Sequence, residues 1–261
     1  MSPSYWEEYA NDTFMYLLEI EGRYDRYMYM DPDSESTSHR TTLVLWLVEV
    51  CYKYLEYQPT TLHAAVNILD RYLSIHKMEQ VPLSELQCVG MCALMIAAKL
   101  EEHTDNKCSI ADLCKLCDLY TPQEITSMEL SMLVVLKFEI LVASAIGFSD
   151  YFQRAVPANP MLSELTDFLC DLSLISHEFL DFNASQIAAS AMWIALCALH
   201  DNWSEELAIL TGYSRLDLTP CTMAFKELIC SSTYTLEQLA PLGLKYPLEQ
   251  TLATLTPVLQ M

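Results

Sequence analysis

The chain has 261 residues, of which 52% are hydrophobic and 19% charged, so its composition is globular rather than disordered. Acidic residues outnumber basic residues 35 to 14, and the net charge of −21 disfavours nucleic-acid and anionic membrane partners while favouring a basic one. No apolar run reaches the roughly 18 residues that a membrane span needs, and the first residues do not resemble a signal peptide. We therefore expect a soluble, intracellular protein.

The first half of the chain predicts a series of α-helices. Glycine is scarce, and apolar residues recur with a period near 3.6 rather than 2, which indicates an all-α fold. An acidic, serine-rich stretch at 31–38 is predicted to be a loop, and "TPQE" at 121–124 is typical of a capping box that begins a helix. The helices are predicted over residues 5–24, 40–57, 59–75, 82–102, 109–119 and 121–137.

A second series begins near Ser144. "NWSE" at 202–205 is interpreted as another capping box, with Asn202 as its first residue, and Gly212 separates two helices. The helices of this half are predicted over residues 161–182, 185–200, a short stretch after 205, and 218–230. From residue 231 onward three more prolines predict an irregular tail.

The two halves share an organisation. Helices rich in small residues are centred near residues 95 and 192, and each is flanked by shorter helices, which indicates a structural duplication. The predicted segments are an N-terminal helix with its acidic loop, two helical repeats and a C-terminal tail, at residues 1–38, 39–143, 144–232 and 233–261.

Ten cysteines in a chain of this size do not indicate a disulfide framework, because most lie within apolar helical patterns. The one metal-like pattern is H-x4-C-x5-C-x2-C, formed by His103, Cys108, Cys114 and Cys117. It is a weak zinc signal, because residues 109–119 predict a helix, and we expect no metal there.

Two charged residues occupy positions where the helical pattern predicts apolar side chains. Lys99 extends the row of Cys88, Cys92 and Ile96. Glu129 lies on the row that carries Ile125, Met132, Leu133 and Leu136. The helix macrodipole stabilises a lysine in the last turn of a helix, but it would destabilise Glu101 and Glu102 in the same turn. A second explanation is that Lys99 and Glu129 pair with each other.

Several segments, in the right order along nearly the whole chain, resemble the cyclin family, and A- and B-type cyclins above all. The resemblance implies two tandem five-helix repeats with an extra N-terminal helix. It also implies a non-catalytic regulatory subunit that binds and activates a cyclin-dependent kinase, and therefore a role in cell-cycle control. The segments are "RTTLVLWLVEV" (40–50), "TLHAAVNILDRYLS" (61–74), "LQCVGMCALMIAAKLEE" (86–102), "MELSMLVVLKFEI" (128–140) and "NWSEELAILTGYSRLDLTPC" (202–221).

The resemblance also assigns residues. Lys99 and Glu129 match the kinase-contacting lysine and glutamate of the family, and Glu101 and Glu102 match an acidic pair that is expected to add contacts at the rim. The matching positions for a structural salt bridge, partly buried and fixing the first repeat, are Arg40 and Asp70.

A- and B-type cyclins carry an apolar groove that docks basic-hydrophobic peptides of substrates and inhibitors. The matching residues here are Leu43, Trp46, Glu49, Leu86 and Gln87. This sequence departs from the family pattern at His39 and Thr42, and the segment around Leu55 is one residue longer. An altered peptide preference follows from these departures.

No motif for catalysis or for a cofactor is present: we find no phosphate loop, no H-E-x-x-H and no nucleophile with a base pattern. The chain is therefore expected not to be an enzyme and to bind no cofactor. The alternatives are a cyclin-fold adaptor that does not activate a kinase and a helical enzyme with a metal at His103 and the nearby cysteines. We expect a nuclear and cytoplasmic protein whose nuclear entry depends on a partner, because no basic cluster marks import.

Overall fold

The computed structural model describes residues 5–23, 35–76, 81–103, 109–231 and 234–260, and every regular element within these ranges is helical. The all-α prediction is confirmed. The helices are α1 (Tyr5–Glu21), α2 (Glu35–Glu49), α3 (Pro59–His76), α4 (Leu83–Glu101), α5 (Ile110–Leu116), α6 (Pro122–Val135), α7 (Ala145–Gln153), α8 (Pro160–Ser173), α9 (Ala184–Ala198), α10 (Glu205–Thr211), α11 (Arg215–Cys230) and α12 (Leu248–Gln260).

The chain divides into two compact units, one of residues 27–141 and the other of residues 1–26 together with 142–261. One contains the five helices α2–α6, and the other contains the five helices α7–α11 together with α1 and α12. Two sets of five helices with an additional N-terminal helix are what the resemblance implied. The segment limits proposed from the sequence at 38, 143 and 232 stay a prediction.

Helix α4 is the centre of the first unit, where it packs against α2, α3 and α6. Every residue from Cys88 to Ala98 is buried. An added Cβ at Gly90 would lie 2.9 Å from Leu43 Cδ1, so a glycine at this position lets α2 approach α4 closely. Contrary to the expectation that no apolar run is long enough, α4 meets the length and hydropathy requirements of a membrane span, but 67% of the span is buried by these neighbours.

Helix α2 differs from its prediction at both ends. It begins at Glu35, so residues 35–38 are helical rather than part of the loop. Beyond Glu49 the chain forms a π-helical segment, Val50–Leu55, which ends at Glu56 in the left-handed conformation (φ 51°). Tyr54 in this segment is 53% exposed.

The ends of α6 are well defined. Thr121 and Glu124 form the predicted capping box: the Thr121 hydroxyl accepts from the Glu124 N–H, and the Glu124 carboxylate accepts from the Thr121 N–H at 2.7 Å. At the other end the N–H of Phe138 donates to the Leu133 carbonyl and that of Lys137 to the Val134 carbonyl, which is a Schellman motif.

Helix α9 occupies the centre of the second unit, packed against α7, α8, α11 and α12. Its small residues allow this crowding, as those of α4 do in the first unit. Helix α1 belongs to the same unit, where the Phe14 ring stacks on Tyr151 at 4.3 Å and meets Phe148 and Phe152 edge-on.

Four predictions for the second unit were wrong. The helix expected over 161–182 ends at Ser173, and a 3-10 helix, His177–Asp181, follows behind its own cap at Ser176. Helix α10 is capped by Ser204 rather than Asn202, because the intervening Trp203 is buried and donates to the Tyr213 carbonyl. Helix α11 begins at Arg215, before the predicted residue 218, because Ser214 supplies a capping box.

The fourth error concerns the C-terminal segment, which contains a helix rather than being irregular throughout. Thr251, Leu255 and Leu259 follow one another at intervals of four residues and are buried, so that α12 packs on α9 and α11. Pro257 lies on the exposed side of α12, where the missing N–H and the steric clash of the proline ring are accommodated most easily.

Candidate functional site

Lys99 and Glu129 meet between α4 and α6. Lys99 lies where α4 emerges from the core: Ala98 before it is buried, whereas the Lys99 side chain is 51% exposed. Glu129, on the neighbouring helix, is only 13% exposed. Helix packing explains their proximity: the thiol of Cys92, two turns before Lys99, donates to the carbonyl of Ile125, one turn before Glu129, at 3.4 Å.

The Lys99 ammonium donates a hydrogen bond to Oε1 of Glu129. The second explanation considered for the sequence, that the two residues pair, therefore describes the unbound chain. An ion pair with one half-exposed partner stabilises a fold by about 0–1 kcal/mol, so stability alone gives little reason to place two charges on apolar helix faces. What the pair does provide is a fixed position for both groups.

Apolar side chains are exposed on α4 and on the segment after α6. Leu100 follows Lys99 in α4, and Phe138 and Leu141 lie on the segment after α6. A pair of charges held in register and exposed apolar side chains on the same elements are features of a protein-binding site, in which apolar contact gives affinity and charges set the register.

Glu102 is buried in the unbound chain, and the contact at the rim that the resemblance implies for it stays a prediction. The helix ends at Glu101, the backbone of Glu102 is extended, and the side chain is buried. Its Oε1 accepts from the backbone N–H of Gln58 at 2.8 Å and from the Thr61 hydroxyl at 2.7 Å. Glu102 therefore supplies a carboxylate at the start of α3, where the dipole favours a negative charge.

A signal for this role existed in the sequence. Pro59 marks the start of α3, but Gln58 before it is a poor N-cap, so the N–H groups of the first turn need a partner from elsewhere.

Glu101 stays at the surface. Partial burial raises the pKa of its carboxyl, the Glu102 charge adds to the rise, and a hydrogen bond from Thr60 opposes it.

Arg40 and Asp70 form the ion pair that the resemblance implied. Nε and Nη2 of Arg40 donate to the two carboxylate oxygens of Asp70, both at 2.7 Å. The two side chains are 2% and 5% exposed, so the pair links α2 to α3 inside the first unit. It has a structural role and lies inside the unit rather than on a binding surface.

The five groove residues lie on α2 and on the first half of α4. Leu43 and Leu86 are buried, while Trp46, Glu49 and Gln87 are partly exposed. Glu49 already has a cation, because Lys53 donates to its Oε1 at 2.7 Å. The same contact raises the pKa of Lys53. Thr42, one of the two residues that differ from the family pattern, donates from its hydroxyl to the Ser38 carbonyl at 3.0 Å within α2.

The residues of the zinc-like pattern have different surroundings. His103 is exposed, Cys117 is buried, and the Cys114 thiol is 3.8 Å from the Tyr120 carbonyl. Cys108 lies outside the described residues. Within the part of the chain that the structure describes, no three His, Cys, Asp or Glu side chains are grouped as metal ligands.

Comparison with known proteins agrees with this architecture. The family model for the cyclin N-terminal domain matches residues 12–141, and that for the cyclin C-terminal domain matches residues 144–250. Cyclin-B1-3 of Arabidopsis thaliana is 36% identical over 220 residues, covering 82% of this chain and 51% of that protein. Cyclin-A2 of Xenopus laevis is 31% identical over 256 residues, covering 96% and 60%.

Among solved structures, a viral cyclin from herpesvirus saimiri has the same fold, with a TM-score of 0.60 at 19% identity over 97% of this chain and 96% of that one. The chain belongs to the cyclin family, and its relatives include A- and B-type cyclins. It spans about half the length of the curated relatives that it matches.

Proposed function

We propose that this cyclin binds a cyclin-dependent kinase through the surface around Lys99 and Glu129 and thereby activates it. The observation that carries the proposal is the pairing of two charges that lie on apolar helix faces; Leu100 on α4 and Phe138 on the segment after α6 are exposed as well. An internal ion pair of this exposure contributes too little to stability to explain its position, whereas a docking surface needs such fixed charges.

Activation of such a kinase requires its mobile helix to swing inward, so that a lysine–glutamate pair forms at the ATP site. A partner achieves this by presenting a rigid surface to that helix. Helices α4 and α6 are suited to the task because both are anchored in the core of the first unit, by Cys88–Ala98 and by Ile125 and Met132.

The two charged side chains would set the register of the kinase helix. The ammonium of Lys99 has three N–H groups, which suit backbone carbonyls at the end of a helix, and the Glu129 carboxylate can accept from backbone N–H groups. Because Glu129 holds Lys99, the donors and the acceptor are placed before the kinase arrives, which lowers the entropy lost on binding.

We further propose that peptide recruitment through the groove is altered in this cyclin. A basic peptide would have to displace Lys53 from Glu49, since the two side chains are joined in the unbound chain. The exposed pair is weak, so this exchange changes the preference for arginine rather than preventing binding.

The test mixes the purified protein with a panel of cyclin-dependent kinases and measures histone H1 phosphorylation. Lys99→Ala and Glu129→Ala should each lower activation at least about tenfold while the thermal unfolding midpoint stays near that of the unchanged protein. Lys115→Ala is the matched control, because it breaks a comparable surface pair with Asp112 and should leave activation unchanged.

A folded protein that binds no kinase in the panel would contradict the proposal. Binding without activation would instead identify a cyclin-fold adaptor. Equal losses in Lys115→Ala and Lys99→Ala would show that the effect does not depend on the position of the charge.

A further inference from the structure

The segment that joins α11 to α12 leaves apolar side chains in solvent. Leu236 is 51% exposed and Leu244 is 48% exposed. The two side chains belong to one concave site of about 670 Å³, which the start of α12 completes and which we call the C-terminal pocket. Its lining includes Leu236, Ala240, Gly243, Leu244, Leu248 and Glu249. An exposed apolar surface that is also concave is typical of an interaction site.

The backbone beneath the C-terminal pocket is anchored in the second unit. Tyr246, which is buried and also lines the pocket, donates its hydroxyl to the Asp171 carboxylate at 2.8 Å. The Phe168 ring meets the Tyr246 ring edge-on at 5.3 Å. Lys245 donates to the same carboxylate of Asp171 at 3.1 Å. These contacts form the pocket before a ligand arrives, so that little conformational entropy is lost on binding.

Gly243 keeps the C-terminal pocket open. A Cβ built at this position would lie 4.0 Å from the Cβ of Leu248, which is an ordinary van der Waals separation. The φ of Gly243 is not positive, so its backbone conformation is open to other residues. A larger side chain at position 243 would therefore occupy the pocket without straining the backbone.

The charge at the C-terminal pocket is negative. Glu249 is the one charged residue among those that line it, and Glu237, which follows the lining residue Leu236, is exposed. The cation of this segment, Lys245, is bonded to the buried Asp171. The whole chain adds a net charge of −21. Apolar surface in a negative potential is complementary to a ligand that is both apolar and basic.

We propose that the C-terminal pocket docks a segment of a partner protein in which an apolar side chain lies next to a lysine or arginine. The apolar side chain enters between Leu236 and Leu244, and the basic side chain pairs with Glu249. A second copy of this chain is a poorer occupant, because two molecules with a net charge of −21 repel each other. The inference does not rest on the proposed function, since the surface around Lys99 and Glu129 belongs to the other unit.

The test is photo-crosslinking of the whole chain, with the modified residues identified by mass spectrometry. The probe is a short capped peptide in which photo-leucine has two lysines on each side. The comparison peptide has glutamates in place of the lysines. Because the diazirine of photo-leucine reacts with whatever lies beside it, the experiment reports where the apolar side chain is bound.

Two variants change the C-terminal pocket without removing a buried group. Gly243→Leu fills it, with Gly243→Ala as the smaller step, and Glu249→Lys reverses its charge. Glu205→Lys is the matched control for charge, because Glu205 is also an exposed carboxylate in the first turn of a helix of the second unit. Unfolding midpoints are measured for all four variants.

We expect the basic peptide to label residues that line the pocket, and the acidic peptide to label them about tenfold less. Gly243→Leu and Glu249→Lys should each lower labelling by the basic peptide about tenfold, with Gly243→Ala between Gly243→Leu and the unchanged protein. Glu205→Lys should leave the labelling unchanged. If Gly243→Leu alters the unfolding midpoint, the comparison of Glu249→Lys with Glu205→Lys decides.

Three results would overturn the inference. One is labelling confined to other parts of the chain, such as the groove on α2 and α4. Another is labelling of the pocket that Gly243→Leu and Glu249→Lys leave unchanged. The third is an equal loss in Glu205→Lys and Glu249→Lys, which would assign the attraction to the net charge of the chain rather than to the pocket.

Discussion

Replacement of Asp70 by asparagine is expected to destabilise the first unit severely. The carboxylate accepts two hydrogen bonds of 2.7 Å from Arg40, and both side chains are almost completely buried. Removing the negative charge leaves the guanidinium inside the protein without its counter-charge, which typically costs about 3–5 kcal/mol. A domain has only about 5–15 kcal/mol of stability, so this is a large fraction of the total.

The measurement is urea unfolding followed by far-UV circular dichroism. With a slope of about 2 kcal/mol per molar urea, a loss of about 3–5 kcal/mol lowers the unfolding midpoint of this unit by about 1.5–2.5 M. Lys53→Ala is the control: it breaks the exposed pair with Glu49, and the expected loss is below about 1 kcal/mol, or about 0.5 M.

A further variant separates charge from packing. Arg40→Met combined with Asp70→Leu removes both charges and should recover most of the lost stability, since no uncompensated buried charge remains. A midpoint for Asp70→Asn within the range of Lys53→Ala would show that the buried guanidinium does not need its counter-charge. A double variant as unstable as Asp70→Asn would refute the explanation by charge.

Two further predictions concern the buried carboxylate of Glu102 and the partly buried carboxylate of Asp167. Glu102→Ala should lose about 1–2 kcal/mol of stability in urea unfolding, because the Gln58 N–H and the Thr61 hydroxyl lose their acceptor. Kinase activation by the folded fraction should stay unchanged. Lost activation at full stability would instead make Glu102 a kinase contact. Burial raises the pKa of Asp167 to about 6, against about 3.9 in an unfolded chain. Between about pH 4 and pH 6 the native state therefore binds a proton that the unfolded chain has released. The protein loses stability as the pH rises through this range. Asp167→Asn should therefore raise the unfolding temperature at pH 7 and give little gain at pH 4; a gain that is independent of pH would contradict the titration.

The helical architecture could be predicted because it rests on local signals. The period of the apolar residues, the capping box at Thr121 and the small residues of α4 are visible in the sequence, and each corresponds to a feature of the structure. The π-helical segment Val50–Leu55 could not be predicted in this way, since a change from i−4 to i−5 hydrogen bonding leaves no pattern of its own in the residues.

The candidate site shows the same division. Lys99 and Glu129 are each anomalous in their own helix, which local periodicity reveals. That they bond to each other depends on the packing of α4 on α6, which the sequence does not specify. The resemblance matched Glu102 to an acidic pair of the family, but α4 ends one residue before it, and the extended backbone turns its side chain toward α3.

The most direct test of the central claim is the charge-reversed variant Lys99→Glu with Glu129→Lys, compared with each single alanine variant in affinity for the kinase. The reversed chain can still form an ion pair between α4 and α6, so its stability should match that of the unchanged protein. The backbone groups of a kinase helix have fixed polarity, and we predict that kinase affinity stays as low as in the alanine variants. Affinity restored to the level of the unchanged protein would show that the pair acts only within the cyclin, and would contradict the account.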